Sequence, residues 1–247
     1  MRIIFLGTNG WFETATGNTL CVLIKTSQCD IVLDAGSGFF RLDKYIDDTK
    51  PLYLLLSHFH LDHISGLHGL SKIKCEKGLT IIGQEGTRSV INTLVNRPFT
   101  VPLDKLSYNT KIIELPASSG ALPFGLEYLP MLHSDPCLGY RITADDKSVA
   151  FCTDTGYCEN AVKLAKGADL IITECAFKPG ESNPEWPHLN PETAARIALE
   201  SGAKRLALAH FDAARYITME ERSDAEKTAR EIFPESFAAA DLMELGI

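Results

Sequence analysis

The sequence lacks any uninterrupted apolar run of the roughly 18 residues needed to cross a bilayer. Its opening, MRIIFLGTNGWFET, holds one arginine and a strand-length apolar stretch, not the charged, apolar and cleavage-site regions of a secretory leader. Both absences make the cytosol the expected location and exclude a membrane partner. The 7 cysteines (21, 29, 75, 137, 152, 158 and 175) are odd in number and contain no C-x-x-C pair. In a chain of this kind they read as reduced, mostly buried thiols, and neither a disulfide framework nor a zinc ribbon has support. Basic residues are outnumbered, with 24 Lys and Arg against 32 Asp and Glu, and the net charge of −8 argues against a general nucleic-acid binder. Phosphate contacts need clustered Lys and Arg. There is no low-complexity segment, no biased linker and no internal repeat.

What is present is ordinary globular usage, 45% hydrophobic and 23% charged. A chain of 247 residues can build one large core, whereas two independent cores would each be small, so residues 1–247 are expected to form one domain. Short apolar runs punctuated by Gly, Asn and Asp (RIIFLG, TLCVLIKT, DIVLDAGSG) read as strands joined by turns. FFRLDKYIDD has apolar residues at helical spacing, and PLYLLLS is a buried strand with Pro at its first position. TIIGQ reads as a strand and EGTRSVINTLVN as a helix, while KIIEL, GLEYLPML, LGYRIT and SVAFCTD suggest a mainly antiparallel meander. ENAVKLAKG is a helix and ADLIITE a fully apolar strand. NPETAARIALESG has Asn at the cap, Pro in the first turn and Gly at the end, which bounds a helix on both sides. AKRLALAHF is a strand, and TMEERSDAEKTAREIF a last amphipathic helix. NRPFTVPLD and PASSGALPFG read as loops. The order predicts an α/β chain of two packed sheets covered by helices on their outer faces.

Only 7 histidines occur, and three of them fall in SHFHLDHISG, Ser57 to Gly66. His58, His60, Asp62 and His63 follow a buried strand, where backbone geometry can vary enough to aim side chains at one point. His58 and His60, at i and i+2, share one side of an extended chain. Asp62 and His63 cannot share it and would face a second ion. Such a set suits Zn²⁺, with Fe²⁺ and Mn²⁺ as alternatives, and the lack of nearby Cys argues against a closed structural zinc site. Further candidates finish other apolar strands: His133 after YLPML, Asp154 after SVAFCT and His210 after RLALA. Taken singly, a strand-end His is more often a structural residue and a strand-end Asp a turn former. Alongside the cluster, the metal reading wins. His68 lies five residues beyond His63 on an expected helix and reads as a surface or supporting residue. Asp34, which ends VLD, reads as a structural or supporting group rather than an ion ligand, and Glu174, which ends DLIITE, reads equally as a group that orients His188 or another ligand and as a helix-capping or turn carboxylate.

H-x-H-x-D-H followed by separate His, Asp and His resembles the metallo-β-lactamase superfamily of binuclear metallohydrolases over essentially the whole chain. The resemblance implies a four-layer αββα sandwich with two divalent metal ions at one edge. Carried over position by position, His58, His60 and His133 would hold one ion and Asp62, His63 and His210 the other, with Asp154 bridging. HSDPCLGYRI, TECAF and HLNPETAARIA are similar to ribonuclease Z and its short-chain phosphodiesterase relatives. In that branch a His at the position of His188 lies near the scissile phosphate and assists the leaving group, and the branch implies a homodimer. Without the resemblance, His188 reads as a surface residue beside Trp186 and Pro187. The candidate catalytic residues are therefore Asp62 and His188.

Two ions of this kind lower the pKa of a trapped water to about 7, which supplies hydroxide for hydrolysis. A positioned acid such as His188 suits a phosphodiester, whose poor leaving group needs a proton. The interval between Glu174 and His188, CAFKPGESNPEWP, is too short for the glycine-rich arm with which ribonuclease Z grips tRNA. A small or cyclic phosphodiester is the expected substrate, with tRNA 3′ processing or lactone and thioester hydrolysis as alternatives. A non-catalytic binding protein on this fold loses ligands, and none is missing. A flavodiiron role would want a Glu ligand and a flavin domain for which 247 residues leave no room.

Overall fold

The computed structural model of the chain describes residues 1–116 and 122–247. It is a four-layer sandwich in which two sheets face each other and helical segments cover both outer faces. The first sheet has seven strands in the order Glu244–Gly246, Arg2–Gly7, Cys21–Lys25, Asp30–Leu33, Leu52–Leu55, Leu79–Gln84 and Thr110–Leu115. The second has six, in the order Ser236–Ala238, Leu206–Ala209, Leu170–Glu174, Lys147–Cys152, Leu138–Ala144 and Gly125–Pro130.

The strands are apolar on both faces because both faces are covered. In Arg2–Gly7, Ile3 and Phe5 point into the core between the sheets, where they share one cluster with Tyr140, Phe151 and Ile172 of the second sheet. Ile4 and Leu6 of the same strand point outward against Leu67 and Phe39. This two-residue alternation, buried on each side, is what makes the sequence read as a continuous apolar run. On the outer face of the second sheet, Ile171 and Leu208 pack beneath Ala194, Ile197 and Ala225 of two helices.

Helix Pro191–Ser201 is bounded as its sequence implies. The Asn190 side chain accepts from Thr193 N, the Thr193 side chain accepts from Asn190 N, and Gly202 closes the helix at φ 65°. FFRLDKYIDD and the segment carrying His68 form short 3₁₀ helices, Ser37–Lys44 and Ser65–Lys72, rather than α-helices. KIIEL does not belong to the meander. Its strand, Thr110–Leu115, lies parallel to Leu79–Gln84 in the first sheet, and the meander consists of the other three segments, Gly125–Pro130, Leu138–Ala144 and Lys147–Cys152, which pair antiparallel in sequence. Within the loop expected over PASSGALPFG, residues 117–121 lie outside the described residues. All seven cysteines are free thiols and six are buried. No helix among the described residues is long and apolar enough to cross a membrane.

The parallel pairings position the site. Asp30–Leu33 runs parallel to Leu52–Leu55, and Lys147–Cys152, Leu170–Glu174 and Leu206–Ala209 run parallel to one another. Parallel strands deliver their carboxyl ends to a common edge, where open α/β sheets gather ligand-binding loops. Asp34, His58, Asp154, Glu174 and His210 all stand at or just past such ends.

Candidate metal centre

Left-handed backbone turns aim several of these side chains. Asp34 (φ 56°), Asp154 (φ 49°) and His210 (φ 46°) each leave a strand with positive φ, and Trp11 (φ 68°) does so in the loop opposite. Aspartate tolerates this region, whereas for a bulky side chain it is unusual and gathers at functional sites. The Asn9–Gly10 bridge pairs with Phe211–Asp212 and lies flat against His210, so close that a Cβ on Gly10 would sit 2.5 Å from the imidazole Cε1.

The structure brings the sequence-selected residues into two adjoining groups. His58, His60, His133 and Asp154 form one, and Asp62, His63 and His210 the other; within each, one potential ligand atom per residue lies within 4.8 Å of the rest. Asp154 faces both. Its Oδ2 is 3.3 Å from His58 Nε2, 3.3 Å from His63 Nε2 and 3.9 Å from His133 Nε2, and its Oδ1 is 3.1 Å from His210 Nε2. Nε2 of His63 and His210 approach to 3.1 Å, and Asp62 Oδ2 is 3.2 Å from His210 Nε2. The side chains of His58, His63, His133, Asp154 and His210 are buried, and that of His60 is partly accessible.

Supporting hydrogen bonds fix the rings from behind. Asp34 Oδ2 is 2.7 Å from His63 Nδ1 and accepts from Ser57 Oγ, while Asp34 Oδ1 accepts from Ser57 N. Ser57 Oγ lies 3.0 Å from His58 Nδ1. A carboxylate on the rear nitrogen of an imidazole fixes its tautomer and directs the other nitrogen's lone pair forward, as at metal sites. Asp34 therefore has the supporting place read from the sequence. Asp62 Oδ2 accepts from the backbone N of Trp11 at 2.8 Å. His68 is exposed and stacks edge-on against Phe40, away from the cluster.

The electrostatics are those of carboxylates and imidazoles buried in close contact. Burial opposes charge on Asp154, yet His210, His63 and His58 hold its carboxyl well below the usual range. Burial likewise opposes charge on Asp62, but His63 and His210 outweigh it and hold its carboxyl well below the usual range. Burial pulls His63 down, but the carboxylates of Asp62, Asp154 and Asp34 raise it well above the ordinary value. His133 is pulled down to about 4 by burial, with His58 and His60 adding to the effect against Asp154. His58 Nε2 is buried and aimed at Asp154 with no hydrogen-bond partner among the described residues. A buried nitrogen without a partner is costly, and imidazoles converging on shared carboxylates are the donor set of Zn²⁺ or a similar divalent ion. The residues fit the ions that the fold family implies.

His188 completes the cleft. Its Nδ1 is 2.9 and 3.0 Å from the two oxygens of Glu174, which is fully buried and also accepts from Thr155 N. Burial lowers the His188 pKa, but Glu174 and then Asp154 and Asp212 override it and raise the value to about 9. Glu174 thus orients His188, one of the roles the sequence left open.

Sequence reasoning passed over the loop that closes this edge. Arg222, fully buried on the last helix, donates to Thr8 Oγ1, Asn9 Oδ1 and Thr16 Oγ1 and lies 4.6 Å from the Phe211 ring centre. Asp241 holds the same loop through Thr8 Oγ1 and Asn18 N. Trp11, Trp186, Phe177 and Arg215 line the cleft beside the histidines. Loop residues leave no periodic signal, so only the three-dimensional contacts reveal them.

Two facing sheets with a histidine–aspartate centre at one edge define a metallo-β-lactamase-type hydrolase. The chain belongs to that superfamily: the family description "Beta-lactamase superfamily domain" matches residues 30–211. It is 28% identical over 220 residues to the probable metallo-hydrolase YhfI of Bacillus subtilis (strain 168), covering 85% of this chain and 87% of that protein. The crystal structure of YhfI superposes with a TM-score of 0.81 at 24% identity, over 99% of this chain and 98% of that one. A ribonuclease Z of Prochlorococcus marinus (strain MIT 9301) is 27% identical over 312 aligned positions, covering 98% of each chain. The short form of human tRNase Z superposes with a TM-score of 0.79 at 22% identity, over 100% of this chain and 99% of that one.

Proposed function

We propose that the chain is a one-domain binuclear metallophosphodiesterase acting on a small or cyclic phosphodiester. His58, His60 and His133 would hold one divalent cation and Asp62, His63 and His210 the second, with Asp154 shared; Zn²⁺ suits this donor set, and Mn²⁺ or Fe²⁺ are the alternatives. Bound cations supply a water of lowered pKa and neutralise charge that builds on the phosphoryl oxygens. The observation that carries the phosphodiester reading is His188 held on Glu174 at 2.9 Å, beside the cluster; these two and Asp154 form a third group of potential ligand atoms, and the reading gives His188 to proton transfer rather than to an ion. With Nδ1 committed to the buried carboxylate, Nε2 is free to give a proton to a departing oxygen, which an alkoxide leaving group needs. Asp34 and Ser57 keep His63 and His58 in register for the ions.

The alignment with the ribonuclease Z of P. marinus extends over 312 positions, more than the 247 residues of this chain, so that relative has segments with no counterpart here. This supports a small diester over a folded RNA. The same relationship is the specific reason to keep pre-tRNA 3′ cleavage as the second reading.

The test combines metal analysis with a substrate screen. After loading with Zn²⁺, Mn²⁺ or Fe²⁺, the chain is expected to retain two ions and to hydrolyse bis(p-nitrophenyl) phosphate or cyclic nucleotides with higher efficiency than pre-tRNA, lactones or thioesters. Higher efficiency on pre-tRNA than on every small diester would move the protein to the second reading, and a dominant lactonase or thioesterase rate to acyl hydrolysis. Asp34→Asn, which weakens the carboxylate behind His63, is expected to lower metal affinity roughly 10- to 100-fold in a chelator competition. Unchanged affinity would mean that Asp34 serves the fold alone.

A further inference from the structure

The chain contains only two tryptophans, Trp11 and Trp186, 175 positions apart, and both sit at the mouth of this cleft. Trp11 comes from the loop after the first strand of one sheet and Trp186 from the loop after Leu170–Glu174 of the other. Their rings stack, with centres 5.8 Å apart and planes within 13°. Neither ring belongs to any of the three apolar clusters, and they stay 52% and 36% exposed. A tryptophan ring buries more area than almost any other side chain, so leaving two in solvent sacrifices core stabilisation. The backbone at Trp11 is also held at φ 68°, an unfavourable angle for a bulky residue. Both rings are tied to the candidate chemistry. Trp11 donates its backbone N–H to Asp62, and the Trp186 ring centre lies 5.6 Å from that of His188.

We propose that Trp11 and Trp186 form a stacking platform for a nucleobase, so that the diester this centre prefers carries a nucleoside. The inference rests on the phosphodiesterase reading and narrows its substrate class. An indole pair presents flat, polarisable faces, which suit a purine or pyrimidine better than an alkyl chain. Stacking on tryptophan tolerates any base, because every base has a π-face. The Trp186 ring, 5.6 Å from that of His188, places an aromatic face next to the group assigned to the leaving oxygen. Arg215, beside the platform, is already paired with Asp212 and Glu181 and covers the Phe177 ring, so no unpaired cation there competes to select an acidic group in place of a base.

The test uses the full, metal-loaded chain and two cyclic diesters, a nucleoside 2′,3′-cyclic phosphate and a base-free ribose cyclic phosphate. In Trp11→Ala and Trp186→Ala, the ratio of kcat/KM for the nucleoside diester to that for the base-free diester is expected to fall roughly 10- to 100-fold, mainly through KM. Trp→Phe variants, which keep an aromatic face, should recover most of it. Trp11→Ala keeps the backbone donor to Asp62, so metal content and melting temperature, checked alongside, separate lost stacking from a damaged centre. Intrinsic tryptophan fluorescence comes from this pair alone, and a nucleoside monophosphate is expected to quench it while ribose phosphate does not. A selectivity ratio unchanged in both alanine variants, together with no base-dependent quenching, overturns the platform while leaving the phosphodiesterase reading intact. Base-dependent quenching in a protein that hydrolyses no diester sustains the platform and overturns the phosphodiesterase reading instead.

Discussion

Asp154→Ala is expected to strip the chain of both cations and to lower diester hydrolysis by at least roughly 10²–10³, the scale of losing one transition-state electrostatic group. The reason is positional. Asp154 is 2% exposed and is the one carboxylate that faces both groups, with Oδ2 toward His58 and His63 and Oδ1 toward His210. Its loss also leaves His63 and His210, Nε2 to Nε2 at 3.1 Å, with Asp62 as the one remaining carboxylate that faces both rings. His133→Ala removes a ring that belongs to one group only, and its Nε2 is 3.9 Å from Asp154. That variant is expected to keep the ion held by Asp62, His63 and His210 and to lose affinity for the other. Metal content after dialysis into buffer of fixed free metal distinguishes the two, with Asp154→Asn added to hold the side-chain volume. Equal, partial losses from the Asp154 and His133 variants would contradict a shared carboxylate.

The sequence carried much of this centre because the chemistry is concentrated. His58, His60, Asp62 and His63 fall in one six-residue segment after a buried strand, and His133, Asp154 and His210 each follow an apolar run. Strand-end position is readable from composition, and parallel strands then bring those ends to one edge. Pairing partners are not readable in the same way. KIIEL has the apolar pattern of any core strand, and nothing local says that it crosses to Leu79–Gln84 and not to the meander beside it in sequence. The three-residue strands Ser236–Ala238 and Glu244–Gly246 are too short for periodicity to register. Arg222 shows a different limit. On an amphipathic helix it reads as part of the polar face, yet it is fully buried because Thr8, Asn9 and Thr16 supply acceptors from the far end of the chain. The Trp11 loop that it anchors was invisible for the same reason.

His188→Ala is expected to retain both metals yet lose roughly 10²–10⁴ in rate on a diester with a poor leaving group, the usual contribution of a positioned acid. His188 is not one of the seven residues assigned to the two ions, but with Asp154 and Glu174 it forms a third group of potential ligand atoms, so the metal content of the variant is measured alongside its rate. What the substitution takes away is an imidazole whose Nδ1 lies 2.9 Å from the buried carboxylate of Glu174 and whose ring lines the cleft. Glu174 outweighs the cost of burying the imidazolium and raises the pKa to about 9, the direction that favours a proton donor. A substrate that expels p-nitrophenolate needs little protonation, and the same variant should lose much less with it. Glu174→Gln keeps the imidazole but removes the negative charge behind it, and should give an intermediate loss with the same dependence on the leaving group. A general disturbance of the fold would lower both substrates alike. If His188→Ala binds two metals and hydrolyses both kinds of diester at the wild-type rate, the proton comes from elsewhere, and the Glu174–His188 pair serves only to join the strand Leu170–Glu174 to the loop before helix Pro191–Ser201.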